Sequence, residues 1–210
     1  MVRAVLPLLL CVCASSCVDS EARFDQFTDR KAAQVKRDLE NVPEGGCSLP
    51  ATLEQLEGRY LFALAAKPAP DRPILALLTI KAGKGDKPSG TVLFEPLAIK
   101  DQMSTVGVKN EGTFELDGTE IRVPMFHVVL PGEADPVQEG LDAEADLILD
   151  GSACIEDGAM FVRTFCGKAA GNITVPLTLP LEGSTFGAIR IEEGKPWPTL
   201  FASCETAVEP

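Results

Sequence analysis

The chain has 210 residues, enough for one domain with a sizeable core, and its 31 Asp and Glu against 19 Lys and Arg give a net charge of −12. So acidic a surface repels phosphate backbones, which disfavours nucleic acid as a partner. In chain order the first signal is a leader. Arg3, an apolar run from Ala4 to Ala14, and Ser15-Ser16 are the three parts of a secretory signal peptide over residues 1–16. The run is shorter than the roughly 20 apolar residues that cross a bilayer, so it is expected to be removed. Cutting before Cys17 leaves 194 residues (210 − 16) and, with Arg3 gone, a charge of −13 (−12 − 1).

Ala14-Ser15-Ser16-Cys17 fits an ordinary small-x-small cleavage site. It also resembles the lipobox of bacterial lipoproteins, with Ala14 where that pattern usually has Leu. The same bond is cut in both readings. Cysteine parity favours the second: of seven cysteines, Cys11 and Cys13 leave with the leader. A lipid-bearing Cys17 then leaves Cys47, Cys154, Cys166 and Cys204, an even set suited to an oxidising compartment. The resemblance implies an exported protein of the bacterial cell envelope, held by lipid on Cys17 to the inner or the outer membrane.

Residues 17–50 read as a tether with a short helix, on which Phe24, Phe27, Val35 and Leu39 share a face until Asn41, Pro43, Gly45 and Gly46 stop it. From residue 51 to 210 the signals are those of strands: 59–66, 74–82, 91–99, 113–116, 119–130, 145–149, 160–165 and 186–191, rich in β-branched, aromatic and aliphatic residues. Asp117-Gly118, Asp150-Gly151 and Asp157-Gly158 are hairpin-turn dipeptides. With no crossover helices, the expected fold is all-β, an antiparallel up-and-down barrel or sandwich of about 8–10 strands.

Placing the turn at Asp117-Gly118 puts Phe114, Leu116, Ile121, Val123, Met125, His127 and Val129 on one inward face, since side chains alternate. Residues 60–64 and 74–80 are apolar on both faces, so those strands need a cover. The N-terminal helix or residues 174–181 are the candidates, and Trp197 is placed to anchor the C-terminal segment on the core.

Gly58-Arg59-Tyr60 in a first strand, the consecutive hairpins and a closing strand near the C-terminus resemble a lipocalin-like (calycin) barrel, with Tyr60 where Trp is usual. Phe165-Cys166-Gly167, Gly171, Pro176 and Leu181 to Phe186 resemble uncharacterised bacterial envelope lipoproteins. The resemblance implies a barrel and carries over no functional residue. The preferred reading is a non-enzymatic module that binds a small apolar ligand, with the inward face of Phe114, Ile121, Val123, Met125, His127 and Val129 lining it. Two alternatives stand beside it: a structural or protein-interaction lipoprotein with a packed core, and a hydrolase without recognisable motif.

Among cysteine pairings, Cys47–Cys204 with Cys154–Cys166 is preferred, because a closed barrel brings its ends together. A tight Asp157-Gly158 turn would set Cys154 opposite Phe161, which strains the second bridge. The lone His127 has no nameable base partner. No Gly-x-Ser-x-Gly elbow or His-Glu-x-x-His occurs, so no catalytic residue is assigned. Asp142-x-Glu144-x-Asp146 opens like a calcium loop but has Leu147 at the required glycine and Ala153 at the bidentate glutamate. Neither a metal nor a cofactor is expected.

Overall fold

The period-two alternation becomes a closed wall of eight strands in the computed structural model, which describes residues 49–85, 88–137 and 140–204. The leader, Cys17, the helix expected in residues 17–50 and Cys47 lie outside the described residues. The described elements are β1 (Leu49–Pro50), α1 (Leu53–Leu56), β2 (Gly58–Ala65), β3 (Ile74–Ala82), β4 (Ser89–Pro96), β5 (Asn110–Asp117), β6 (Glu120–Leu130), β7 (Ala143–Ile155), β8 (Thr164–Val175), β9 (Leu179–Pro180) and β10 (Ser184–Arg190). Each wall strand pairs antiparallel with the next from β2 to β8, then β10 pairs with both β8 and β2. The fold is therefore an up-and-down barrel, as expected, and closure removes the exposed strand edges of the wall.

The β5–β6 turn sits one residue later than its dipeptide suggested. Leu116 pairs with Ile121 and Asp117 with Glu120, leaving Gly118 and Thr119 as the turn, with Gly118 at φ 59°. This slip moves both strands together, so Phe114, Leu116, Ile121 and Val123 still share the inner face and are all buried. Asp150-Gly151 is not a turn: it lies inside the 13-residue β7. Gly151 faces Phe186, and a Cβ there would stand 2.8 Å from the ring and 2.4 Å from the Cys166 carbonyl oxygen. Glycine at this position answers a close approach, which dipeptide reading mistakes for a turn.

Inward aromatic rings fill the barrel in a continuous column. Tyr60 meets Phe165 at 5.0 Å, Phe165 meets Phe186 at 6.2 Å, Phe186 meets Phe62 at 5.7 Å, Phe62 meets Phe94 at 5.6 Å and Phe94 meets Phe126 at 6.4 Å. Each ring buried contributes about 2–3 kcal/mol, and edge-to-face pairs add to that.

The doubly apolar strands have a cover in the C-terminal segment, whereas residues 176–181 border the pocket instead; the other candidate, the N-terminal helix, lies outside the described residues. Outward Leu61, Ala63, Leu75 and Leu77 of β2 and β3, with Leu97, pack under Ile189, Ile191, Trp197, Leu200 and Ala202. The C-terminal segment thus lies along the outside of the wall, with Trp197 in the role expected of it. Gly187 lets it approach: a Cβ there would meet the Phe201 ring at 2.5 Å.

This path also corrects the disulfides. Cys166 bonds Cys204, with a Cα–Cα distance of 5.3 Å, so neither Cys47–Cys204 nor Cys154–Cys166 forms. In the β7–β8 ladder Ser152, not Cys154, faces Cys166, while the covering segment carries Cys204 to the outer side of β8. Cys154 is disulfide-bonded as well. The β7–β8 connection explains the shifted register. Asp157-Gly158 does turn, with Gly158 at φ 77°, but residues 160–163 leave the ladder instead of beginning a strand.

Candidate functional site: an apolar mouth opposite a sealed end

One end of the barrel is sealed. Thr52 caps α1, its Oγ1 accepting from Gln55 N–H at 3.4 Å while Gln55 Oε1 accepts from Thr52 N–H at 2.9 Å. The helix places fully buried Leu56 across the opening. Val162, from the 156–163 loop, folds in beside it and donates its N–H to Gln55 O at 3.0 Å. Arg190, at the end of β10, fastens these pieces. Its Nε donates to Val162 O at 2.9 Å, and Nη2 to Gln55 O, Glu57 O and Tyr60 Oη at 2.9, 2.7 and 2.9 Å. The guanidinium also lies 5.0 Å over the Tyr60 ring and 4.8 Å over Phe161.

Tyr60 is fully buried, and its hydroxyl donates to Leu56 O at 2.8 Å. Burial pushes its pKa up from 10.0 to about 12, the Arg190 charge and hydrogen bond offsetting part of the rise. The folded protein therefore holds this proton more tightly than the unfolded chain. The associated stability is present in full below about pH 10 and is lost as pH rises towards about 12, a loss of about 2–3 kcal/mol. Because Tyr60 is the sole tyrosine, phenolate absorbance reads it alone. The expected result is ionisation well above pH 10 when folded and near pH 10 in urea.

The opposite end is open. Ala66 and Pro68, Asp135 and Val137, and Pro176, Leu177 and Leu179 border a pocket of about 60 Å³, lined deeply by Leu64, Phe94, Val128, Leu147, Ile173 and Leu181. Phe94 belongs to the aromatic column and forms the floor. Val137 and Leu177 stand at the mouth, 39% and 62% exposed. The lining is otherwise apolar: Asp135 and Glu144 border it, but the Glu144 carboxylate turns to His127 on the outer face. Asp135 is buried and accepts the Val137 N–H through Oδ1 at 2.8 Å.

The residues expected to line a ligand divide into two groups. Phe114, Ile121 and Val123 face inward, around a void of only about 10 Å³, too small for more than a single water-sized body. Met125 and His127 face outward instead: Met125 is 66% exposed, His127 is exposed, and Val129 lies half-buried off the inner row. The cause is a bulge between Val123 and Phe126 that shifts the ladder with β7 and reverses the alternation, so Phe126, Val128 and Leu130 turn inward. Pro124 was the available signal, because a proline inside a strand pattern marks a bulge or an edge.

Outside, His127 stands between two carboxylates of β7, its Nδ1 3.0 Å from Asp146 Oδ1 and its Nε2 3.6 Å from Glu144 Oε2. This trio lies on an open strand surface with no enclosed space for a reacting molecule. The calcium-like acids are dispersed, since Asp142 accepts the Gly132 N–H at 2.9 Å while Glu144 and Asp146 flank the histidine. Among the described residues, no three His, Cys, Asp or Glu side chains converge on a metal-sized space, and no helix is long and apolar enough to cross a membrane. Compared with protein-family models, characterised proteins and solved structures, the chain matches none.

Proposed function

We propose that this chain is an exported lipoprotein of the bacterial envelope, anchored through Cys17, whose lipocalin-like barrel holds the end of an apolar chain in its open mouth. The observation that carries the binding part is the pocket itself, lined almost wholly by apolar side chains at one end of the barrel. Export is supported by the leader in residues 1–16 and by oxidised Cys166, Cys204 and Cys154, because disulfides persist outside the reducing cytosol. Lipid attachment rests on the Ser16-Cys17 cleavage pattern and on cysteine parity.

The size of the pocket limits the ligand. Each water-sized body needs about 10–15 Å³ of such space, so 60 Å³ admits about four to six methylene-sized groups. Burial of each CH₂ is worth about 0.8 kcal/mol, or about fourfold in affinity. Titrating the protein with straight-chain alcohols from propanol to decanol should therefore show affinity rising about fourfold per methylene and levelling off once about six carbons are housed. Affinity that climbs unchanged to decanol, or no binding at all, contradicts the proposal.

The second reading is a packed barrel that acts only through its surface. It is favoured by the aromatic column and by the void of about 10 Å³ behind Phe114, Ile121 and Val123. No binding of any alcohol would decide for it.

A further inference from the structure

Cys154 carries a disulfide whose other half lies outside the described residues, since Cys166 and Cys204 are bonded to each other. We infer that its partner is Cys47, so that the chain entering the barrel is fastened at the sealed end, in the groove between the 156–163 loop and the C-terminal segment. This groove, about 600 Å³, is lined by Cys154, Glu156, Met160, Phe161, Lys195 and Pro196 among others. Alternation along β7 buries Ala153 and turns Cys154 outward onto the groove. β1 pairs antiparallel with the end of β7, Leu49 against Ile155 and Pro50 against Cys154. Traced back from Leu49, the chain therefore runs past Ile155 towards Glu156 and the groove. Met160 and Phe161 stand exposed there, apolar surface that an entering segment covers.

Reach selects the cysteine. Cys47 precedes Leu49 by two residues (49 − 47), about 7 Å of chain, and Leu49 pairs beside the Cys154 position. By leaving the β7 ladder at Ser48, Cys47 comes within the Cα separation of about 4.4–6.8 Å that a bridge requires. Cys17 stands 32 residues before Leu49 (49 − 17), and closing that longer loop is disfavoured on the order of 50-fold. Cys11 and Cys13 are farther still and belong to the leader. Because Ser152 faces Cys166, Cys154 is the diagonal neighbour of Cys166, so the two bridges lie side by side on β7 and β8, one for each end of the chain.

The bond forms by thiol–disulfide exchange: the two thiols give up two protons and two electrons to a disulfide oxidant, which leaves as a dithiol. The pairing is independent of the apolar mouth, and it keeps Cys17 out of any bridge, as the proposed lipid anchor requires. It also brings the tether in at the end of the barrel away from the mouth.

Tryptic mapping tests the pairing, because each cysteine falls in its own peptide. Residues 38–59 carry Cys47, 123–163 Cys154, 164–168 Cys166 and 191–210 Cys204, and 17–23 carry Cys17 once the leader is removed. The full-length chain, expressed for export, has its free thiols alkylated before unfolding and is digested without reductant for mass spectrometry. The expected masses are 38–59 joined to 123–163, and 164–168 joined to 191–210. Residues 38–59 recovered alkylated, or joined to any peptide other than 123–163, would overturn the pairing. Residues 17–23 joined to 123–163 would overturn it and the lipid anchor together. In Cys47→Ser, Cys154 should pass from fully bridged to fully alkylated while Cys166–Cys204 stays intact. A Cys154 still bridged in that variant contradicts the inference.

Discussion

Arg190→Ala is expected to lower the unfolding free energy by about 3–5 kcal/mol, measured by urea denaturation at neutral pH. The size follows from what one side chain joins. Its donors satisfy the carbonyls of Val162, Gln55 and Glu57 and the Tyr60 hydroxyl oxygen. Those acceptors belong to the loop, the helix, the strand entry and the core ring that together close one end of the barrel. Truncation removes all four of these bonds. Gln55 O keeps the Val162 N–H and Val162 O the Tyr60 hydroxyl, so the cost comes from Glu57 O, the Tyr60 oxygen and the weakened remainder, at about 1–3 kcal/mol for each bond left unreplaced. It also removes the cation from over the Tyr60 ring. Arg190→Lys should restore only part of the loss, because one ammonium cannot reproduce the spread of the guanidinium fork. A loss below about 1 kcal/mol in Arg190→Ala would mean that α1 and Val162 seal the end without it.

Phe62→Ala should be comparably costly, about 3–5 kcal/mol, for a different reason. Phe62 is fully buried at the middle of the aromatic column, stacked on Phe186 and edge-on to Phe94. Removing it leaves an apolar cavity that a closed eight-stranded wall cannot collapse to fill. Such a cavity stays dry and accepts a ring of the size removed. Benzene should therefore raise the thermal midpoint of Phe62→Ala and leave that of the wild-type chain unchanged. If the wild-type protein gained as much, its barrel centre would hold space that the packed column denies.

These two residues also show how far the sequence could be read. Phe62 lies in a run of apolar residues whose strand character was plain, and strands β2, β3 and β5 were placed within a few residues of their observed ends. Parity protected the inner face of the β5–β6 hairpin even though its turn was misplaced by one residue. Beyond Pro124 the same parity argument failed, because one bulge reverses every later side chain. Simple alternation puts His127 and Met125 inside for that reason alone.

Most of the pocket lining was out of reach for another reason. Val128, Leu147, Ile173 and Leu181 come from β6, β7, β8 and the connection before β10, and only barrel closure brings them together. Arg190 was missed likewise, since nothing local distinguishes an arginine that reaches across to Gln55, 135 residues earlier, from one that faces water. The covering C-terminal segment was half legible: Trp197 marked an anchor, but Gly187 had to be seen against Phe201 before its purpose was clear. The disulfide followed from that segment's path rather than from the spacing of cysteines.

The hexanol titration, read at individual methyl groups by NMR, tests the account most directly. Shifts should concentrate at Val128, Leu147, Ile173 and Leu181, around the open mouth, and leave Ile121, Val123 and Leu116 unmoved. Shifts centred on Ile121 and Val123 would place the ligand inside the barrel, where the aromatic column leaves no room, and would contradict the account.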